Sequence, residues 1–129
     1  MHLTVIGLNH KTAPVEIREK LSISEEQIPT ALSELRATTP VSECLILSTC
    51  NRTEVYTCAP SRSDNESIIS WMGKFFRIAI EEFKPYLYFH ADHKVAEHLF
   101  RVSSGIDSMV VGEAQILGQV KDAYEIALD

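Results

Sequence analysis

The sequence lacks several signatures, and each absence removes a class of protein. No apolar run approaches the ~20 residues that span a bilayer, and no basic stretch followed by an apolar one opens the chain, so neither a membrane span nor a secretory leader is expected. There is no GxGxxG or GxxxxGK[ST] fingerprint, which leaves a nucleotide cofactor without a visible seat. There is no CxxC pair, and the cysteines (Cys44, Cys50 and Cys58) are odd in number, so a disulfide framework is not expected and at least one thiol is free. Internal repeats and low-complexity tracts are absent. Basic residues are in the minority: 12 Lys+Arg against 18 Asp+Glu leave a formal charge of −6. General nucleic-acid binding depends on neutralising phosphates, so this balance argues against it while leaving a local basic contact open.

What remains is an ordinary globular composition, 45% hydrophobic and 23% charged over 129 residues, the length of one domain. A cytoplasmic protein is expected. Residues 3–9 read as a β-branched strand, broken by His10-Lys11-Thr12-Ala13-Pro14 and followed by a short helical turn over 15–21. Ser24 and Gln27 form a candidate capping box ahead of Ile28, Ala31, Leu32 and Leu35, which recur at helical spacing. Residues 43–49 and 53–58 read as two strands joined by the hairpin-length connection Cys50-Asn51-Arg52. Ile68, Ile69, Met72, Phe75, Phe76, Ala79, Ile80 and Phe83 predict one continuous helix stopped by Pro85, and 86–90 a fourth strand. The order β-α-β-β-α-β is that of an α+β, ferredoxin-like sandwich with two helices on one face of an antiparallel sheet. Asp92 is placed to cap a further helix through Val95, Leu99 and Val102, with Gly105 ending it. Ser108 to Gly112 is a connection. A last stripe (Ile116, Leu117, Val120, Ala123, Tyr124, Ala127, Leu128) is still running at Asp129, so a longer protein is expected. Residues 1–90 therefore read as the ferredoxin-like core and 91–129 as a C-terminal extension of two or three helices.

Few residues stand out chemically. Cys50 lies in Ser48-Thr49-Cys50-Asn51-Arg52-Thr53, a polar stretch at a strand end. A nearby Arg52 favours a thiolate, and strand-end N–H groups can face a developing oxyanion. The alternative is a structural thiol, since free cysteines are often buried like small hydrophobes; Cys44, beside Leu45 and Ile46, fits that description well and Cys58 less so. His93 and His98 are five apart and on different helical faces, so no metal site is expected. His98 shares a face with Val95 and Val102, which reads as a core histidine or as a catalytic acid or orienter. Lys11 is either solvated, the commoner case, or placed to meet phosphate or substrate. Gln115 and Gln119 are helical neighbours that pattern alone assigns to a solvated surface shared with Glu113.

Four segments, in order along essentially the whole chain, resemble the N-terminal catalytic domain of glutamyl-tRNA reductase. They are Gly7-Leu8-Asn9-His10-Lys11-Thr12-Ala13-Pro14 with Ile17-Arg18-Glu19-Lys20, then Ser48-Thr49-Cys50-Asn51-Arg52-Thr53-Glu54-Val55-Tyr56, then His98 to Ser108, then Val111 to Lys121. One departure is Ala114, where the family usually carries proline; this alters local rigidity, and function is expected to persist. The resemblance implies an NADPH-dependent oxidoreductase of tetrapyrrole (porphyrin) biosynthesis that reduces glutamyl-tRNA to glutamate 1-semialdehyde through a thioester on a cysteine nucleophile. It further implies Cys50 as nucleophile and His98 as a second catalytic residue. Thr49, Asn51, Arg52, Ser108, Glu113, Ala114, Gln115 and Gln119 are implied as substrate-binding, with Arg52 gripping a carboxylate. In this reading 91–129 completes the substrate pocket and leads toward an NADPH domain and a helical homodimerisation domain, neither of which is in this sequence. The NADPH site is not in this chain and no metal is implied. Implied partners are glutamyl-tRNA, a second subunit and the downstream semialdehyde aminotransferase, with no membrane. The competing reading is a non-catalytic ferredoxin-like module that binds a small ligand or heme.

Overall fold

Val5, Ile6 and Leu8 fall in one apolar run and all three are fully buried. A strand that is apolar on both faces belongs inside a sheet covered on both sides, and β1 (His2–Asn9) occupies that place. The computed structural model describes residues 2–60 and 65–104. In it β1 lies between β3 (Arg52–Ala59) and β4 (Tyr88–Ala91), and β2 (Glu43–Ser48) flanks β3. The strand order is β2-β3-β1-β4, with every neighbouring pair antiparallel. Register runs from His2↔Ala59 to Asn9↔Arg52 along β1 and β3, and Ser48↔Thr53 closes the β2–β3 hairpin.

Because side chains alternate along a strand, the two faces carry different cores. Ile6, Leu8, Cys44, Ile46 and Val55 face α2 (Ile28–Thr38) and α3 (Asn65–Phe76), packing with Leu32, Leu35, Ile69 and Met72. Val5, Leu47 and Tyr56 face the other way and meet Val95 and Val102 of α5 (His93–Ser103). The sheet is thus covered by α2 and α3 on one side and by α5 on the other. A short helix, α1 (Val15–Lys20), follows β1.

Three expectations need correction. The stripe from Ile68 to Phe83 is not one helix: α3 ends at Phe76, Arg77 turns left-handed at φ 56°, and only a short α4 (Ile80–Phe83) follows, then a 3-10 turn over Lys84–Tyr86. The Ile78 N–H donates to the Gly73 carbonyl at 3.1 Å, the six-to-one bond of a Schellman stop. Gly73 permits the return, because a Cβ there would lie 3.1 Å from Ile80 Cγ1. The left-handed position carries arginine instead of the usual glycine, so the sequence held no stop signal. Left-handed backbone strains an L-residue. Arg77→Gly is therefore expected to raise stability by about 1 kcal/mol in a denaturant titration.

Second, the Ser24–Gln27 pair closes a turn ahead of α2. Gln27 Oε1 accepts the Ser24 N–H and hydroxyl, each at 3.2 Å, and no side chain caps the helix itself. Third, Asp92 precedes α5 but does not cap it through its side chain. Its backbone carbonyl accepts the Val95 N–H at 2.9 Å, and its carboxylate lies 3.8 Å from His2 Nδ1. Gly105, the 108–112 connection and the stripe from Ile116 to Leu128 lie outside the described residues.

Candidate active site

The β2–β3 connection is held by its own polar residues. The Thr49 N–H donates to the Arg52 carbonyl at 2.8 Å, and Thr49 Oγ1 accepts the N–H groups of Asn51 (3.1 Å) and Arg52 (3.2 Å). Ser48 Oγ accepts the Ile23 N–H at 3.0 Å and shares a hydrogen bond with Thr53 Oγ1. Cys50 sits exposed at the tip. Its carbonyl accepts a hydrogen bond from Arg18 Nη1 at 3.3 Å. Arg18 comes from α1, which the preceding turn aims: Asn9 Oδ1 accepts the N–H groups of Lys11 (2.9 Å) and Thr12 (3.2 Å), an Asx-type turn that ends β1. The Asn9-His10-Lys11-Thr12 motif thereby acquires a structural task.

Two residues beyond Cys50 the chain enters β3, and the side chains that face α5 turn polar. Arg52 is 1% exposed, Glu54 0% and His98 7%. Glu54 Oε2 gathers His98 Nε2 in a short hydrogen bond, the Tyr88 hydroxyl at 2.6 Å and Arg52 Nη1 at 3.6 Å, while Oε1 accepts the Tyr56 hydroxyl at 2.9 Å. Burial by itself pushes the Glu54 carboxyl up. His98, Arg52 and the Tyr88 hydroxyl together outweigh it and hold Glu54 below the usual carboxylate range. Burial first, and then the Glu54 carboxylate, push the Tyr56 and Tyr88 hydroxyls up, so both stay protonated donors.

The structure thus brings Arg52 and His98 onto one carboxylate oxygen, and sets Thr49, Cys50 and Asn51 on the loop that leads into that strand. Ser108, Glu113, Ala114, Gln115 and Gln119 lie outside the described residues. Thr49 spends its hydroxyl oxygen on its own loop. A separate groove of about 560 Å³ opens beside α5, lined among others by Leu3, Cys44, Tyr56, Cys58, Val95 and Leu99; among the described residues none of the expected site residues borders it. Among the described residues no three His, Cys, Asp or Glu side chains gather to hold a metal, and no helix is long and apolar enough to cross a membrane.

A family model described as glutamyl-tRNAGlu reductase, N-terminal domain, matches residues 6–129. The chain belongs to that family. Curated proteins named glutamyl-tRNA reductase from Shouchella clausii and Thermodesulfovibrio yellowstonii are 51% and 52% identical to it, over 98% and 99% of the chain. The chain spans only 28% and 32% of their lengths. A solved structure of glutamyl-tRNA reductase from Methanopyrus kandleri superposes with a TM-score of 0.71 at 31% identity, covering 98% of this chain and 28% of that one.

For a reductase N-terminal domain, the residues that sequence reasoning passed over are Gly7, Arg18, Glu54, Tyr56 and Tyr88. Gly7, Arg18, Glu54 and Tyr56 stand inside the motifs that carry the resemblance. Glu54 also left a direct signal: a carboxylate in the middle of a β-branched strand, on the face shared with Arg52. Its ionisation has a measurable consequence. The native carboxyl titrates below its unfolded value of about 4.3, so its contribution is complete above that value and is lost as pH falls through the lower native one. Urea titrations from pH 3 to 7 are expected to show a flatter acid limb in Glu54→Gln than in the parent protein; parallel curves would contradict this.

Proposed function

We propose that this chain is the glutamyl-accepting domain of a cytoplasmic glutamyl-tRNA reductase. The Cys50 thiolate attacks the ester carbonyl that joins glutamate to tRNA. A carbon–sulfur bond forms, the ester carbon–oxygen bond breaks, and the tRNA terminal hydroxyl leaves with a proton. The observation that carries this reading is the exposed Cys50, at the tip of a loop pinned by Thr49 and Arg18 and leading directly into the buried Arg52–Glu54–His98 cluster. Splitting the reduction of an acyl ester into thioester formation and hydride transfer replaces one difficult step by two easier ones. Arg52 and Asn51 are the described candidates for holding the glutamyl group, with Ser108, Glu113, Ala114, Gln115 and Gln119 completing the pocket. Thr49 acts through the loop it braces, and His98 acts on protons at the reacting carbonyl.

The strand order β2-β3-β1-β4 supports reading residues 1–90 as a ferredoxin-like sandwich, and α5 on its second face supports reading 91–129 as a helical extension that begins there. The described sheet has only antiparallel neighbours, and β1 leads through an Asx turn without glycine into the short α1. That arrangement is not the doubly wound, glycine-rich site of a dinucleotide, and no described residue is assigned to NADPH or to hydride delivery. Further domains of the full enzyme would supply that seat and the homodimer contact, and the semialdehyde aminotransferase would take the product.

The test is a discharge assay with glutamyl-tRNA labelled in the glutamate. The chain is expected to take the label onto Cys50 and release free glutamate and uncharged tRNA by hydrolysis of the thioester. With NADPH added, no semialdehyde is expected. Tight binding of glutamyl-tRNA with neither adduct nor discharge would favour the non-catalytic module.

A further inference from the structure

Glu54 makes no contact with substrate in the reading above, yet it is the point where Arg52 and His98 meet. A buried charge persists only when it is paired and hydrogen-bonded. Glu54 meets this condition with donors on both oxygens: the Tyr56 hydroxyl on Oε1, and the Tyr88 hydroxyl and His98 on Oε2, with the Arg52 guanidinium alongside. An ionised carboxylate accepts and cannot donate. The imidazole nitrogen that touches it must therefore carry the hydrogen. Neutral His98 is fixed as the Nε2–H tautomer, and its Nδ1 bears the lone pair. Among the described residues Glu54 is the one hydrogen-bond partner of the His98 ring, and the rings of His90 and Tyr88 flank it with centroids at 4.7 and 5.3 Å.

The sheet makes room for this carboxylate at one position. Gly7 of β1 is in register with Glu54 on one side and with Tyr88 on the other. To reach the Tyr88 hydroxyl, the Glu54 side chain must cross the central strand, and it crosses at the residue without a side chain. A Cβ on Gly7 would lie 2.9 Å from Glu54 Cγ and 2.8 Å from the Thr53 carbonyl oxygen, closer than real Cβ atoms come.

We propose that Glu54, lying across Gly7, is a positioning residue that fixes His98 as the Nε2–H tautomer and holds the Arg52 guanidinium for the acyl-transfer site. The proposal rests on the acyl-transfer reading. Its consequence is specific: with Nε2–H committed to Glu54, Nδ1 is the nitrogen that His98 leaves open for proton transfer in the acyl-transfer step.

Two measurements test it. In protein labelled with 15N-histidine, with the His98 signal assigned by its loss in His98→Gln, the wild-type proton is expected on Nε2. An Nδ1–H tautomer overturns the proposal without any Glu54 variant having to fold. In single-turnover acylation of Cys50 by glutamyl-tRNA, Glu54→Gln is expected to be slower by at least about tenfold per folded molecule, with an altered pH profile. A merely structural Glu54 would lower the melting temperature and leave the rate per folded molecule and its pH profile unchanged, and that result also overturns the proposal. Absence of any adduct on the wild-type protein defeats the acyl-transfer reading itself, and the tautomer measurement stands apart from it.

Discussion

Cys50→Ala is expected to leave no labelled glutamate on the protein after incubation with glutamyl-tRNA and acid quenching, whereas Cys44→Ala and Cys58→Ala retain it. The three thiols differ in what surrounds them. Cys44 is packed in the α2-side core with its Sγ 3.9 Å from the Leu32 carbonyl oxygen. Burial pushes that thiol up, against a weaker pull from Arg36, so at neutral pH it is a protonated small hydrophobe. Cys58 is half-buried near the far end of β3, paired in register with Leu3 and Glu43, several residues from the Thr49–Asn51 loop. Cys50 alone is exposed. An ester carried by a tRNA needs an accessible nucleophile, because the acyl group arrives attached to a large body. An adduct that persists in Cys50→Ala, or one that disappears in a folded Cys44→Ala, would remove Cys50 from the role.

The second large effect is expected at Arg52. Its side chain is among the largest fully buried ones, and its charge is balanced against Glu54 across 3.6 Å. Removing one partner of a buried pair leaves the other poorly compensated. Arg52→Met should lower unfolding free energy by about 3 kcal/mol, the lower end of the usual range, because His98 still meets the same carboxylate oxygen. Arg52→Lys separates stability from recognition. Lysine keeps the positive charge opposite Glu54, so most stability should survive in a denaturant titration. It loses the planar fork that grips a carboxylate bidentately, so the KM for glutamyl-tRNA should rise or turnover should fall. Wild-type stability in the methionine variant would mean that Glu54 is compensated without Arg52. Wild-type kinetics in the lysine variant would take Arg52 out of substrate recognition.

Much of this fold was legible in one dimension because the signals were local. The apolar run of β1, the helical spacing of Ile28, Ala31, Leu32 and Leu35, and the hairpin-length connection around Cys50 each depend on residues a few positions apart. The failures were local as well, where backbone geometry replaced the usual side-chain signal. Arg77 adopts a left-handed conformation that glycine usually marks, so α3 read as continuing to Phe83. Asp92 looked like a side-chain cap, but its carbonyl makes the bond to Val95 while its carboxylate turns to His2.

The sequence by itself determined the order of elements, the polar setting of Cys50 and, through four motifs, the family. It could also place His98 on the inner face of a helix, because helical periodicity puts it with Val95 and Val102. What it could not decide was what His98 meets there. Glu54 and His98 are 44 residues apart and become neighbours only when α5 closes over the second face of the sheet. Arg52 looked like a residue of a polar connection, and only the register Asn9↔Arg52 shows it to be the first residue of a buried strand. Gly7 read as one residue of a motif, and the pairing of β1 with both β3 and β4 makes it the gap that Glu54 crosses. The physical reason is the same in each case. Local propensity fixes which way a side chain points along its own element, while burial, charge pairing and protonation depend on elements that arrive from elsewhere in the chain.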